Sequence, residues 1–314
     1  MSVHWGIAPQ NPGEAIVFLP THHAPQSQTQ ALVFPHYRSL LNQTPDNVIA
    51  FAAMRSEAVL GVLIVSVEGQ GASILSFAVA QRAQRSGVGR ELMDAGLDAA
   101  ARLGARTAKI EFSTRPENAC SLIAFLAATG WSKPTPKVFF SHADPIRVLN
   151  QTWAERALSR GPRNAGVFDW KDLARSDRDF IAAEIAAGRY PEAVSPFWQE
   201  DQMTGISIGL RAGDGRVVGW LVSHFVPSSP GVIRYSRSFS SDAPAFRGNG
   251  SWLMAETLNR HANGALYEQY PRVLFDIDYR NRPMMNVFHR RFGPYVEQSY
   301  DLCTASKDIA PHAE

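Results

Sequence analysis

The sequence predicts an α/β chain of two tandem domains, each a mixed, mostly antiparallel sheet flanked by helices. Three observations support this fold class. Each half of the 314 residues carries β-rich runs followed by a strand–helix–strand–helix series, the first half has a glycine-rich turn between a strand and a helix, and a similar turn recurs in the second half. This order is typical of sheets covered by helices on both faces. We expect the domains at 1–143 and 165–314, with a connector at 144–164.

The first half opens with a predicted hairpin sheet. A short apolar strand at 15–19 and a helical region at 31–41 come first. The β-rich runs 48–54 and 59–67 are split by polar residues and therefore predict two antiparallel strands. The apolar run 74–79 is the next strand, and it leads directly into the glycine turn.

The segments after the glycine turn alternate between helix and strand. Apolar residues at helical spacing predict a helix over 88–103, which Gly104 ends as a C-terminal cap. Alternating apolar residues predict a strand over 108–112, and a last helix covers 118–129 and ends at Gly130. The second half repeats this order, with predicted strands at 167–170, 207–210, 217–224, from 232 onwards and at 273–278, and with helices at 177–187, 251–262 and up to 291.

A single offset relates the two halves. The offset is 163 residues (250 minus 87). It relates four pairs of identical residues, namely Gly87 with Gly250, Asn118 with Asn281, Phe125 with Phe288 and Gly130 with Gly293. One register kept over four positions indicates an internal repeat. The same offset puts Trp252 opposite Gly89 and Asp242 opposite Val79. A bulky side chain and a negative charge at these places predict that the second copy is degenerate and has lost its anion site.

The composition predicts a globular protein with no strong electrostatic preference. Hydrophobic residues make up 45% and charged residues 19%, and the formal net charge is +2. We therefore expect neither nucleic acid nor a membrane as a partner. The two cysteines, Cys120 and Cys303, predict no disulfide framework and suit a reducing cytoplasm. The N-terminal segment lacks a signal-peptide pattern and no apolar run is long enough to span a bilayer, so we expect a cytoplasmic protein.

The turn from Gln84 to Gly89 is the strongest functional signal in the sequence. Glycines let the backbone approach a ligand closely, and the free N–H groups of a first helical turn point at that ligand. Together they form a cradle for a phosphate group. We therefore expect a phosphate-bearing cofactor at this turn.

These features resemble the GNAT superfamily of N-acetyltransferases. Its acetyl-CoA signature, Gln/Arg-x-x-Gly-x-Gly/Ala after the fourth strand, is matched by Gln84, Gly87 and Gly89, and a second signature is matched by Asn118 and a later glycine–tryptophan pair. The resemblance implies acetyl-CoA, or another acyl-CoA, as co-substrate, without a metal. It also implies that main-chain N–H groups hold the pyrophosphate and that a strand pairs with the pantetheine arm. The implied cofactor-binding residues are Phe77, Val79, Gln84, Arg85, Ser86, Gly87, Val88, Gly89, Arg90 and Asn118.

The resemblance further implies acetyl transfer to a primary amine of a small molecule or short peptide, with the first repeat active. The amine attacks the thioester directly, and the main-chain N–H of Val79 polarises the carbonyl. The first half lacks the tyrosine that the family often uses as general acid, because Phe125 lies near that place and Tyr37 is distant. Glu111 is a candidate to hold a water that accepts the proton. Alternatively, Glu111 is a solvated carboxylate paired with Lys109.

Four further residues are candidates for substrate recognition. His22 and His23 follow the first strand, where the substrate side is expected, although histidines of a loop without function fit equally well. Arg234 and Asp276 lie on neighbouring predicted strands and indicate either a recognition surface for a charged substrate or an internal ion-pair network. Two other functions stay open, namely an acetyltransferase that modifies an antibiotic or toxin for self-protection and a non-catalytic acyl-CoA sensor or scaffold. The oligomeric state also stays open.

Overall fold

The computed structural model describes residues 15–115 and 119–310, which divide into two compact units. The first unit extends to Pro136 and resumes at Leu302, and the second is Lys137–Asp301. The predicted bounds place residues 137–143 in the first domain and residues 302–310 in the second. In the structure, 137–143 belong to the second unit and 302–310 to the first. Strand pairing accounts for the difference, because each segment bonds to a strand of the unit that contains it. The domain bounds at 143 and 165 stay a prediction.

Most predicted helices and strands occur in the predicted order, and the structure adds strands at Thr135–Ala143 and Val296–Asp308 that the sequence pattern did not predict. Within the described ranges the strands are β1 Val17–Pro20, β2 Val48–Arg55, β3 Ala58–Glu68, β4 Gly71–Val79, β5 Thr107–Ser113, β6 Thr135–Ala143, β7 Ala165–Asp169, β8 Ile208–Ala212, β9 Val217–Phe225, β10 Val232–Ser240, β11 Arg272–Asp278 and β12 Val296–Asp308. The α-helices in the same ranges are α1 Gln26–Ala31, α2 Val88–Arg102, α3 Ala119–Ala128, α4 Pro145–Leu149, α5 Thr152–Arg160, α6 Arg175–Ala186, α7 Asn249–Ala262, α8 Leu266–Gln269 and α9 Arg282–Arg291.

The sheet of the first unit has the strand order β1-β2-β3-β4-β5, and residues 302–308 of β12 pair with β5. Strands β4 and β5 are parallel, and the other neighbours are antiparallel. The helix α2 packs on β3, where a Cβ on Gly96 would collide with the Leu63 side chain. Val88, Leu92 and Met93 of α2 are fully buried in this contact, and burial of each such apolar side chain is worth about 1.5–3 kcal/mol.

The sheet of the second unit has the strand order β6-β11-β10-β9-β8-β7. Strands β10 and β11 are parallel, and the other neighbours are antiparallel. Trp220 of β9 is fully buried, and its indole N–H donates to the Val194 carbonyl at 3.0 Å. The predicted fold class, a mixed and mostly antiparallel sheet flanked by helices in each half, is thus confirmed.

One predicted helix is wrong. The sequence pattern favoured a helix over 31–41, but α1 ends at Ala31 and a separate 3₁₀ turn covers Pro35–Leu41. Proline disfavours the helical conformation of the preceding residue, and Phe34 accordingly has an extended backbone with ψ 136°. The helix therefore stops well before the proline.

Two buried histidines of the second unit predict a stability that depends on pH. His224 and His261 are 1% and 0% exposed, and burial lowers the pKa of each imidazole below its ordinary value. Unfolding lets both rings take up protons at their normal pKa of about 6.5. We therefore expect the free energy of unfolding to be fully retained above pH 7 and to fall as the pH drops below about 6.5, by at most about 1.4 kcal/mol per pH unit for each histidine.

Urea unfolding at a series of pH values between 5 and 8 measures this loss. The variant His261→Gln keeps polar atoms beside Tyr235 and Tyr270, which the imidazole bonds at 3.1 and 2.7 Å, and it is expected to flatten the decline. The control His22→Gln, on an exposed ring, is expected to leave the decline unchanged. Equal pH dependence in all three proteins would mean that other groups control it.

Candidate active site

The segment between β4 and α2 forms an open turn at the N-terminus of α2. Gly87 caps α2 with a left-handed backbone, φ 93°, and Arg85 is also left-handed at φ 61°. Within the described residues, the main-chain N–H groups of 85–89 donate no hydrogen bond to the protein. Residues 84–87 are exposed. Free N–H groups at a helix N-terminus favour a bound anion.

Two side chains hold the turn in this shape. The Gln84 amide donates to the Val79 carbonyl at 3.2 Å, and the Ser86 hydroxyl donates to the Ala83 carbonyl at 2.7 Å. The first bond ties the turn to the end of β4. Both side chains are therefore positioning groups for the N–H groups that they leave open.

The end of β4 has an unpaired edge. β4 pairs with β5 from Gly71 to Ile74, whereas its pairing with β3 continues to Val79. The Ala80 N–H donates to Leu60 of β3 at 2.8 Å, and strand alternation turns the main-chain groups of Val79 and Phe77 away from β3. Among the described residues no strand faces them on that side. Such an edge can accept an extended ligand as an additional strand.

An aromatic wall adjoins this edge. The rings of Phe77 and Phe125 stack with centroids 5.3 Å apart. Gly89 lies against both, since a Cβ there would be 3.3 Å from Val79 Cγ2, 3.4 Å from Phe77 and 3.7 Å from Phe125. Gly89 therefore permits a close approach of α2 to β4. Phe125 of α3 is half-buried and packs against the core of the first unit.

The other residues predicted for the first unit lie in different surroundings. Arg90 is exposed, and its guanidinium donates to the Ala128 carbonyl at 3.5 Å. Glu111 is on the exposed side of β5, with its carboxylate 2.5 Å from the Lys109 ammonium. His22 and His23 are exposed on a 3₁₀ turn, with ring centroids 4.1 Å apart. Asn118 lies outside the described residues. The structure thus brings together Phe77, Val79 and the segment 84–89, and the roles assigned to all these residues stay predictions.

The second glycine turn has a different register from the one predicted. Gly248 caps α7 with φ 101°, as Gly87 caps α2, so the offset at the turn is 161 residues (248 minus 87). Gly250 then corresponds to Gly89, and a Cβ there would lie 3.6 Å from Ser240, which corresponds to Val79. The constant offset of 163 is wrong here because α8, at Leu266–Gln269, adds residues after the turn and changes the register of the later elements.

This correction changes the interpretation of Trp252 and Asp242. Trp252 does not replace the second glycine but lies two residues further along α7, 7% exposed, in the core of the second unit. Asp242 does not correspond to Val79. The sequence contained the relevant signal, since Gly248-x-Gly250 repeats the spacing of Gly87-x-Gly89.

Arg234 and Asp276 form a bidentate ion pair across β10 and β11. The Nε–Oδ1 and Nη2–Oδ2 distances are both 2.7 Å, and the two side chains are 23% and 11% exposed. The guanidinium of Arg234 also lies over the Trp198 ring at 5.0 Å, and that of Arg237 lies over the same ring at 4.8 Å. This geometry is that of an internal ion-pair network, and a role in substrate recognition stays a prediction.

Comparison with known proteins gives a family match for part of the chain and a shared fold for most of it. The Acetyltransferase (GNAT) family model matches residues 17–130. No curated protein matches the sequence. The chain resembles a tandem GNAT protein from the clavulanic acid biosynthesis pathway, with 15% identity, 88% of each chain covered and a TM-score of 0.62. It also resembles a GCN5-related N-acetyltransferase from Sphaerobacter thermophilus, with 15% identity, 95% of this chain and 97% of the other covered, and a TM-score of 0.55.

A third similar structure is the GCN5-related glucosamine N-acetyltransferase region of a fungal multi-domain GH3 β-N-acetylglucosaminidase. It is 14% identical, with 95% of this chain and 38% of the other covered and a TM-score of 0.58. Among the described residues, no helix has the length and apolar character to cross a bilayer, and no group of three metal-binding side chains occurs. The GNAT family model thus matches residues 17–130, and the fold of the tandem GNAT protein is shared over most of this chain.

Proposed function

We propose that the first unit binds acetyl-CoA and transfers its acetyl group to a primary amine of a small molecule or short peptide in the cytoplasm. The observation that carries this proposal is the open glycine turn, with its free N–H groups directly beside the unpaired edge of β4. The match of the GNAT family model to residues 17–130 supports the first unit as the active one.

The residues of the turn fit the anionic part of acetyl-CoA. The main-chain N–H groups of 85–89 donate to the pyrophosphate, as helix N-termini commonly do. The exposed guanidiniums of Arg85 and Arg90 add charge-assisted hydrogen bonds, each worth about 1.5–3 kcal/mol. Asn118, outside the described residues, stays a proposed cofactor contact.

The edge of β4 fits the pantetheine arm and the thioester. The main-chain groups of Phe77 and the N–H of Val79 bond to the arm as a neighbouring strand does. The rings of Phe77 and Phe125 give the arm an apolar wall. The Val79 N–H is also the donor to the thioester oxygen, where negative charge develops as the amine attacks.

The groups available for proton transfer favour an acceptor amine of low pKa. Acetyl-CoA supplies an acyl group activated as a thioester, and the bond from carbon to the amine forms as the bond from carbon to sulfur breaks. Phe125 carries no acidic group, so solvent protonates the leaving thiolate. Glu111 holds a water that accepts the amine proton. At pH 7 an α-amine loses its first proton at a cost of about 1 kcal/mol, against about 4.6 kcal/mol for a lysine-like amine.

A non-catalytic acyl-CoA sensor is the second candidate. Phe125 at the place of the usual acid, and the pairing of Glu111 with Lys109, favour this sensor over the acetyltransferase that modifies an antibiotic or toxin. A thiol-release assay with acetyl-CoA and a panel of amines separates the two. We expect turnover with α-amines of pKa near 8 to exceed turnover with lysine-like amines by at least about tenfold at pH 7. Tight binding of CoA with no thiol release from any amine would establish the sensor instead.

A further inference from the structure

The connection between α6 and β8 is unusually long. It covers residues 187–207, which we call the strap, and contains two short 3₁₀ turns, Glu192–Val194 and Glu200–Gln202. Connections of more than about 12–15 residues without helix or strand are uncommon in compact domains, and many of them are functional. Gln199 of the strap has a left-handed backbone, φ 47°, which is a strained conformation for a residue other than glycine. The strain lies directly beside Trp198.

Hydrogen bonds tie the strap on both sides of Trp198. The Tyr190 hydroxyl donates to the Val217 carbonyl at 2.7 Å, and the Glu200 carboxylate accepts from Arg178 of α6 at 2.8 and 2.9 Å. In the described part of the chain, the half-buried Trp198 side chain itself forms no hydrogen bond. Ring contacts therefore hold the indole, and it can leave its place without breaking the bonds that anchor the strap.

Trp198 covers three side chains of β9 and β10. The guanidinium carbons of Arg234 and Arg237 lie 5.0 and 4.8 Å from the centroid of the indole ring. The His224 ring meets the indole edge-on, with centroids 5.4 Å apart. Arg234 and His224 are direct neighbours across the two antiparallel strands. The three side chains thus share one face of the sheet, under the strap.

Arg237 is a half-buried cation without a paired anion. Asp276 binds Arg234 with both of its carboxylate oxygens. Among the described residues Arg237 forms no ion pair, and its guanidinium donates to the Ser236 carbonyl at 2.8 Å. Burial lowers the pKa of Arg237, against the weaker attraction of Asp276. A cation in this position is costly unless an anion pairs with it.

His224 has an unused nitrogen on the same face. The ring is 1% exposed, and its Nδ1 lies 2.8 Å from the Ser236 hydroxyl. Its Nε2 is buried without a hydrogen-bond partner at normal distance, although the Trp198 main chain and Asp201 raise the pKa of the ring from further away. Buried polar atoms are nearly always hydrogen-bonded in native proteins. Two neighbouring groups under Trp198 therefore lack the same kind of partner, an acceptor that carries negative charge.

We propose that Arg237 and His224 form a binding site for a small aromatic carboxylate, and that Trp198 covers this site while it is empty. A carboxylate accepts two parallel hydrogen bonds from a guanidinium. It also accepts from Nε2 of His224 when Nδ1 accepts from the Ser236 hydroxyl. The flat ring of the ligand takes the place of the indole over the two guanidiniums. The site goes beyond the proposed acetyl transfer, since its residues belong to the second unit.

Calorimetric titration of the full chain with benzoate, in the absence of acetyl-CoA, tests the site. We expect one benzoate per chain and an affinity at least about tenfold lower in Arg237→Gln. Arg237→Lys keeps the charge but loses the planar fork, so an intermediate affinity is expected. Benzyl alcohol, which has the ring without the charge, is expected to bind at least about tenfold more weakly than benzoate.

The control Arg216→Gln removes an exposed arginine of the same unit that pairs with Asp214. It is expected to change the affinity for benzoate by less than about twofold. Thermal melting of each variant checks that it remains folded. Gly89→Leu is expected to bind benzoate as the wild type does, so the result does not depend on the proposed transfer site.

Two variants of Trp198 test its role as a cover. Trp198→Ala is expected to bind benzoate at least about threefold more tightly, because no indole has to be displaced. Benzoate is expected to change the tryptophan fluorescence of the wild type as the indole leaves the two guanidiniums. Trp198→Phe is expected to bind benzoate without that change.

Three results would overturn the proposal. The first is the absence of saturable benzoate binding, and the second is equal affinity in the wild type and Arg237→Gln. The third is displacement of benzoate by acetyl-CoA together with loss of benzoate binding in Gly89→Leu, which would place benzoate at the turn of the first unit. Weaker binding in Trp198→Ala would show that Trp198 is a wall of the site, and this would overturn its role as a cover.

Discussion

Replacing Gly89 with leucine is expected to abolish acetyl transfer by the first unit. A Cβ at this position already lies 3.3 Å from Val79 Cγ2 and 3.4 Å from Phe77 Cζ. The remaining atoms of leucine then fill the space beside the open edge of β4, where we propose that the pantetheine arm binds. We expect kcat/KM for acetyl-CoA to fall by more than about 100-fold, which corresponds to about 2.7 kcal/mol of lost transition-state stabilisation. A thiol-release assay measures this loss.

Gly250→Leu is the matched control, because Gly250 has the corresponding position on α7 and a Cβ there would lie 3.6 Å from Ser240. We expect it to change kcat/KM by less than about twofold. Thermal melting of both variants checks that each remains folded. If Gly250→Leu abolished transfer and Gly89→Leu did not, the active unit would be the second one.

Replacing Asp276 with alanine is expected to destabilise the second unit by about 2–3 kcal/mol. Loss of one partner of a buried ion pair costs about 3–5 kcal/mol, and partial exposure to solvent reduces this value. Arg234, 23% exposed, would lose both of its 2.7 Å bonds and would remain beside Arg237 on the Trp198 ring. The melting temperature is expected to fall by about 4–12 °C.

Asp278→Ala provides the control on the same strand. Its partner Arg280 is 88% exposed, so the melting temperature is expected to stay within about 1–2 °C of the wild type. Steady-state kinetics of Asp276→Ala then tests the predicted substrate role of this pair. A raised KM for the amine together with an unchanged melting temperature would contradict the interpretation as a structural ion pair.

The fold class and the glycine turn of the first unit could be predicted because local chemistry determines both. Alternation of apolar residues gives the strands, and the spacing of Gly87 and Gly89 reflects a left-handed cap and a close approach of α2 to β4. Gln84 was predicted from the resemblance to the GNAT family, and its bond to the Val79 carbonyl gives it a physical role in the turn.

The other features depend on contacts between residues that are distant in sequence. The register at Trp252 is an exception, because a constant offset conceals the residues that α8 adds, whereas the spacing Gly248-x-Gly250 indicates the correct register. The pairing of residues 302–308 with β5 joins segments that are distant in sequence, which a local pattern does not specify.

The stoichiometry of acetyl-CoA binding tests the central claim most directly. Calorimetric titration of the wild type, Gly89→Leu and Gly250→Leu compares the two glycine turns in otherwise identical chains. We expect one acetyl-CoA per chain in the wild type and in Gly250→Leu, and no binding in Gly89→Leu. Two molecules per chain in the wild type, or binding that Gly250→Leu removes and Gly89→Leu retains, would contradict the assignment of the cofactor site to the turn between β4 and α2.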